Sequence, residues 1–242
     1  MFNQSLIILP TYNEALNVQL MISKLFELYP QVSILVIDDN SPDKTAMVVE
    51  MLKDKHPSLY LIKRAEKLGL GSAYLEGFHW ALLKKFQFIF QMDCDFSHDP
   101  KDLLNLLNDL NRENAYLAIG SRYSNNQVRT SGWSLHRLLL SYFAALTLRA
   151  ITGLTIRDSL GGFKCFRRET LESINLSNIM SKGFVFQFEM NDKVSSKGLK
   201  IIETPVVFSD RVMGVSKMNV SIIIEAVFVI LKLRIIKIIG RD

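Results

Sequence analysis

The 242-residue sequence is poor in cysteine. Cys94 and Cys165 are the only two, too few for a disulfide framework or a cysteine metal site. That shortage points to a reducing compartment. The opening stretch MFNQSLIILPTYNE has neither a cationic start nor a long apolar run, so it does not read as a signal peptide. No charge-free segment reaches the roughly 20 apolar residues that a spanning helix needs. Gly69 and Gly71 are not followed by Gly-Lys-Ser/Thr, which excludes a P-loop and leaves a turn-shaping role. Lys and Arg form no stripe interleaved with aromatics, which argues against a nucleic-acid groove. Repeats and low-complexity stretches are absent as well.

What is present reads as one globular α/β unit. Hydrophobic residues make up 48% and charged residues 22% of the chain, a globular rather than a disordered balance. The net charge of +5 favours an anionic partner: a nucleotide, a lipid phosphate or a membrane surface.

Short apolar runs alternate with helical spacing through the first half. SLIILP (5–10), SILVIDD (33–39), SLYLIK (58–63), FQFIFQMD (86–93) and AYLAIGSRY (115–123) read as strands. Helices are expected over 15–28, 43–55 with Ser41 or Asp43 as cap, 68–85 and 100–112. This alternation predicts a doubly wound, mostly parallel sheet, whose ligands bind beyond the carboxyl ends of the strands. Pro10–Glu14, Asp38-Asp39, Asp93–Asp95 and Arg122 all fall at such ends. Asp38 is read as a turn cap and left out of the site. Two later stretches differ. Residues 133–154 read as a long interface helix, and 218–242 as an amphipathic helix in which Glu225, Lys232, Arg234 and Lys237 interrupt the apolar residues.

The stretch QMDCDFSHDP (91–100) sets two carboxylates at the end of a buried strand, which is costly unless a cation pairs with them. Asp93 and Asp95 are hard oxygen donors suited to Mg²⁺ or Mn²⁺, and such an ion keeps positions for substrate phosphates. A metal carrying a diphosphate is the expectation.

In order along the chain stand PTYNE, VIDDNSPDKT, KLGLGSAYLEGF, MDCDFSHDP, IGSRY, SLGGFKCFRR, SKGFVFQFEM and FSDRVMGVSK. Together they resemble the family 2 glycosyltransferases of GT-A fold, and within them the dolichol-phosphate (polyprenol-phosphate) mannose synthases. The resemblance runs from about Leu6 to Lys217. It implies a GT-A catalytic domain over 1–217 followed by the 218–242 helix. It implies a dolichyl-phosphate β-mannosyltransferase that moves mannose from GDP-mannose to dolichyl or polyprenyl phosphate with inversion. The implied nucleotide-sugar contacts are Pro10, Tyr12, Glu14, Ile37, Asp39, Asp93, Cys94, Asp95, Arg122, Arg211 and Lys217. Asp93, Asp95 and Ser97 match the metal site, with Ser97 standing where some relatives carry Gln. Arg122, Arg137 and Ser141 match the acceptor-phosphate site, and Asp95, Arg122 and Arg211 the catalytic set. The protein is expected at the cytosolic face of an endoplasmic reticulum or bacterial plasma membrane, peripherally held, with small membrane-anchor subunits as candidate partners. Two other readings stand beside it: a polyprenol-phosphate glucosyl- or aminosugar transferase using a UDP-sugar, and a non-catalytic nucleotide-sugar-binding subunit.

Overall fold

A computed structural model of the chain describes residues 2–124, 127–132, 146, 149, 152–181 and 183–209. The apolar runs of the first half become strands β1 (Ser5–Thr11), β2 (Ser33–Asp38), β3 (Leu59–Lys63), β4 (Phe88–Gln91) and β5 (Leu117–Ser121). Between them lie α1 (Ala15–Leu28), α2 (Thr45–Lys53), α3 (Leu70–Leu83) and α4 (Asp102–Arg112). The short ribbons β6 (Tyr123–Ser124) with β7 (Gln127–Val128), and β8 (Thr130–Ser131) with β11 (Phe208–Ser209), sit outside the main sheet, which β9 (Lys164–Arg167) and β10 (Ile201–Pro205) complete.

The seven-stranded sheet has the order β10-β5-β9-β4-β1-β2-β3. Every neighbouring pair is parallel except those made by β9, which runs antiparallel to both β4 and β5. The strands are apolar on both faces because helices cover both, as parallel sheets require. One face buries Ile7, Leu9, Ile34, Val36 and Phe90 against α1, α2 and α4. The other buries Leu6, Ile8, Leu35, Ile37 and Ile89 against α3 and the Phe186–Ser196 helix.

Strand β9 was not expected from the sequence. It inserts between β4 and β5, so the two strands that carry Asp93–Asp95 and Arg122 are not neighbours. Among the described residues no helix is long and apolar enough to cross a membrane. The expected interface helices at 133–154 and 218–242 fall almost wholly outside the described residues.

Candidate active site

The first site loop follows β1. Its turn leaves three successive backbone N–H groups at the start of α1, and the loop after β2 satisfies all three. Asn13 N–H donates to Ser41 Oγ, Glu14 N–H to Thr45 Oγ1, and Ala15 N–H to Asp43 Oδ2, each at 3.0 Å. Asp43 also accepts the Thr45 N–H at 3.0 Å, so one carboxylate serves the starts of both α1 and α2. Those hydrogen bonds hold the Asp43 carboxyl below its usual value, against the upward push of burial. The SPDKT stretch thus acts as a cap for the PTYNE turn. Asp38 is a structural anchor, as read from the sequence: its carboxylate accepts Thr11 Oγ1–H at 3.0 Å and the Ser41 hydroxyl at 2.6 Å.

Pro10, Tyr12 and Glu14 are half-buried around this turn. The Lys67 ammonium lies 3.9 Å from the Tyr12 ring centroid, a cation over an aromatic face. Glu14 accepts from the Asn17 side-chain amide at 2.8 Å. Asp39 is paired with Arg64 and also accepts the Gly69 N–H at 3.1 Å. Arg64 in turn reaches the Ser72 hydroxyl at 2.7 Å and the Gly69 carbonyl at 3.1 Å. Gly69, with φ of +97°, makes the turn into α3 that brings these groups round Asp39. Arg64 is a partner that sequence reasoning missed. Ile37, expected to line a nucleoside pocket, is placed inside the core beneath α3, where its side chain offers no open wall.

The acidic loop follows β4. Asp93 is half-buried and Asp95 is buried. Phe96 adopts φ of +59°, a left-handed conformation that a bulky side chain rarely takes. That reversal lets the Ser97 N–H and hydroxyl donate to Asp95 Oδ1 at 3.1 and 2.6 Å. Ser97, expected as a metal ligand, here serves to orient Asp95. Cys94 turns its side chain into the core. The Tyr74 hydroxyl lies 3.5 Å from Asp93 Oδ1, and burial beside this carboxylate pushes the phenol well above its usual value. His98 is buried, stacked on Phe163 at 4.8 Å and edge-on to Phe208 at 5.1 Å. Burial lowers it to about 4, so it sits there as the neutral imidazole.

Arg122, at the end of β5, meets a partner the sequence did not reveal. Its Nε and Nη2 donate to Asp158 at 2.7 and 2.6 Å, and its backbone N–H at 2.9 Å. Asp158 is itself fixed from β10: Glu203 accepts the backbone N–H groups of Arg157 and Asp158 at 3.0 and 2.9 Å. Burial would push the Asp158 carboxyl up, but the guanidinium outweighs it and holds the carboxyl below its usual range. The Arg122 guanidinium also lies 5.3 Å from the Phe208 ring centroid. The Ser209 N–H donates to the Ser97 carbonyl at 3.1 Å, tying β11 to the acidic loop. Arg211, Lys217, Arg137 and Ser141 lie outside the described residues.

Beneath this end of the sheet, Lys164 is fully buried and donates to the Gln187 carbonyl at 2.7 Å; burial pushes its amine well below the usual lysine value. Glu189 is an internal anchor: it accepts the backbone N–H groups of Met180 and Ser181, both at 2.9 Å.

Among the described residues no three His, Cys, Asp or Glu side chains converge to hold a metal ion. The donors present are two carboxylates and a hydroxyl on one loop. That set fits a hydrated divalent cation that takes further oxygens from a substrate diphosphate, and does not fit a closed protein cage.

A family model described as glycosyl transferase family 2 matches residues 6–174. A polyprenol monophosphomannose synthase from Mycolicibacterium smegmatis is 41% identical over 227 residues, 93% of this chain and 84% of that protein. An undecaprenyl-phosphate mannosyltransferase from Micrococcus luteus is 36% identical over 222 residues, 92% of this chain and 90% of its own. Among solved structures, a glucosyl-3-phosphoglycerate synthase from Mycobacterium tuberculosis with Mn²⁺, UDP and phosphoglyceric acid superposes with a TM-score of 0.68 at 18% identity, covering 95% of this chain and 78% of that one. A mannosyltransferase from Pyrobaculum calidifontis with GDP-Man and Mn²⁺ gives 0.56 at 19% identity, covering 87% and 57%. The mixed, mostly parallel sheet is the GT-A arrangement expected from the motifs, and the chain belongs to the family 2 glycosyltransferases.

Proposed function

We propose that the protein transfers mannose from GDP-mannose to a polyprenyl phosphate at a membrane surface, with inversion at the anomeric carbon and with help from Mg²⁺ or Mn²⁺. The observation that carries this reading is that Asp93 and Asp95, just after β4, and the Arg122–Asp158 clamp, just after β5, lie at the same end of the sheet. This arrangement occurs in a chain 41% identical to a polyprenol monophosphomannose synthase over 93% of its length.

The acceptor in such a reaction is a phosphate, already an anionic nucleophile, so the protein needs no general base to create one. Its task is to place two anions against each other and to stabilise charge on the leaving diphosphate. Tyr12, Glu14 and Asp39 are assigned to the nucleoside. Asp93 and Asp95 would hold the divalent ion, which supplies charge neutralisation for the departing GDP. Asp158 and Glu203 keep the Arg122 guanidinium in one orientation, so the cation meets a phosphate without reorganising. Arg211 and Lys217 are assigned to the leaving diphosphate, and Arg137 and Ser141 to the acceptor phosphate. In-line displacement would convert an α-linked sugar nucleotide to a β-linked lipid phosphate.

The test is transfer of radiolabelled mannose from GDP-mannose to a polyprenyl phosphate in liposomes, with and without Mg²⁺ or Mn²⁺ and with UDP-glucose as an alternative donor. A metal-dependent, β-linked mannolipid that disappears in Asp95→Ala is the expected result. Product from UDP-glucose alone would overturn the mannose assignment. No product from either donor, with nucleotide still bound, would overturn the catalytic reading in favour of a binding subunit.

A further inference from the structure

Strand β9 separates β4 from β5, so the acidic loop and Arg122 follow strands that share no ladder of hydrogen bonds. A chain of rings joins them instead. His98, in the acidic loop, stacks on Phe163 with centroids 4.8 Å apart and planes 12° apart. It also meets Phe208 edge-on, at 5.1 Å and 80°. The Phe208 ring centroid lies 5.3 Å from the Arg122 guanidinium. Phe163 closes the circuit on β5, the strand that ends just before Arg122. The Gly120 N–H donates to the Phe163 carbonyl at 2.8 Å, and a methyl built on Gly120 would stand 2.6 Å from Phe163 Cδ1.

The backbone holds Phe208 from two sides. On one, it forms an antiparallel bridge with His98, and the Ser209 N–H donates to the Ser97 carbonyl at 3.1 Å. On the other, the Phe208 N–H donates to the Arg129 carbonyl at 3.0 Å, and the Arg129 N–H to the Arg122 carbonyl at 2.9 Å. His98 is 4% exposed and Phe163 0%, so these two rings act by packing and not by touching a ligand. The Asp158 carboxylate grips the Nε edge of the guanidinium and so fixes it within its own plane. Rings against the guanidinium restrain its remaining swing, a task that Phe208 shares with Tyr123 at 5.4 Å.

We propose that Phe208 and His98 are positioning residues for the transfer step: through Phe208 against its guanidinium, Arg122 is held at a fixed offset from the carboxylates of the acidic loop. The proposal rests on the reading that Arg122 meets a reacting phosphate while Asp95 serves the donor's ion. Two anions must then be brought together by groups on strands that do not pair, and the ring chain sets the spacing that the sheet leaves open.

The experiment compares wild type with Phe208→Leu, Phe208→Tyr, His98→Ala and His98→Phe, using whichever sugar nucleotide the wild type transfers and its nucleoside diphosphate with Mn²⁺ as control. Phe208→Leu, which keeps an apolar side chain but removes the ring, should lower kcat by about 10- to 100-fold, the scale of a small misplacement of a positioned group. Affinity for the Mn²⁺–nucleoside diphosphate should stay within about twofold, since the acidic loop keeps its own bonds. Phe208→Tyr and His98→Phe keep their rings and should stay within about threefold of wild type, while His98→Ala falls with Phe208→Leu. In an Arg122→Met background, Phe208→Leu should cost less than about threefold more, because its effect passes through the guanidinium. Full additivity in that background would overturn the proposal, because a ring that only supports the fold costs the same with or without Arg122. Wild-type kinetics for Phe208→Leu, a parallel loss of diphosphate affinity, or a His98→Phe loss equal to that of His98→Ala would overturn it too. If the wild type transfers nothing, the transferase reading fails by itself, and the Phe208–Arg122 cycle is run on binding of a polyprenyl phosphate in detergent. Non-additive losses there support the positioning role, and additive or absent losses overturn it.

Discussion

Removing the Asp158 carboxylate is the sharpest test of how the Arg122 cation is held. Asp158 is 1% exposed and accepts three hydrogen bonds from Arg122, two of them from the guanidinium. The Arg122 side chain is 11% exposed, so in Asp158→Ala a charge stays largely buried with that carboxylate gone. Breaking one side of a buried pair costs about 3–5 kcal/mol. An exposed pair would cost only about 0–1 kcal/mol. The Glu203 bonds to the Arg157 and Asp158 backbone survive the substitution, so the loop keeps its anchor and the loss reports the pair. Urea unfolding of wild type, Asp158→Ala, Arg122→Met and the double variant closes a cycle, with an expected coupling of about 2–3 kcal/mol. A single-variant cost below about 1 kcal/mol, or strictly additive costs, would refute the clamp as described.

Other consequences can be checked alongside. Because Asp158 lies below its usual carboxylate value, its stabilisation is complete above about pH 4 and lost as pH falls through the folded value; Asp158→Asn should flatten that part of a stability–pH curve, and an unchanged slope would count against it. Asp43→Ala strips the partners from the Ala15 and Thr45 N–H groups and should cost about 1 kcal/mol by thermal or urea denaturation. Gly71→Ala forces a methyl to 2.6 Å from the Ser181 carbonyl and 2.8 Å from Phe186 Cβ, so a loss of about 1–3 kcal/mol is expected, whereas unchanged stability would contradict the close approach of α3. Asp95→Asn keeps an oxygen for the Ser97 donors and should fold normally, yet lower transfer by about 10²- to 10³-fold at saturating metal.

The half of the fold that was legible from sequence is the half built from uninterrupted apolar runs. SLIILP and SILVID are buried on both faces, and such runs announce parallel strands directly. KCFR hid because its first residue is a lysine, whose burial is made tolerable by partners distant in sequence such as the Gln187 carbonyl. The extent of the Phe186–Ser196 helix was not legible because it buries Gln187, Glu189, Asn191 and Asp192 together with its apolar residues, so no amphipathic stripe marks it. The site divides in the same way. Asp93 and Asp95 are visible since two carboxylates ending an apolar run need a reason. Arg64, Asp158 and Glu203 look like ordinary surface charges until folding brings Arg64 to Asp39, Asp158 to Arg122 and Glu203 to the Asp158 backbone.

The strand order has a consequence for synthesis. Strands β1 to β4 pair only among themselves and with β9, so β3-β2-β1-β4 can assemble once residue 91 has left the ribosome. Strand β5 has no such option, because both of its neighbours, β9 and β10, lie later in the chain. It must wait with two open edges, and an exposed apolar edge is a template for wrong pairing. A nascent chain halted between residues 121 and 164 would thus carry a paired four-stranded half and an unpaired strand beside it. Chaperone demand should peak in that interval and fall when Lys164–Arg167 emerges to close the gap.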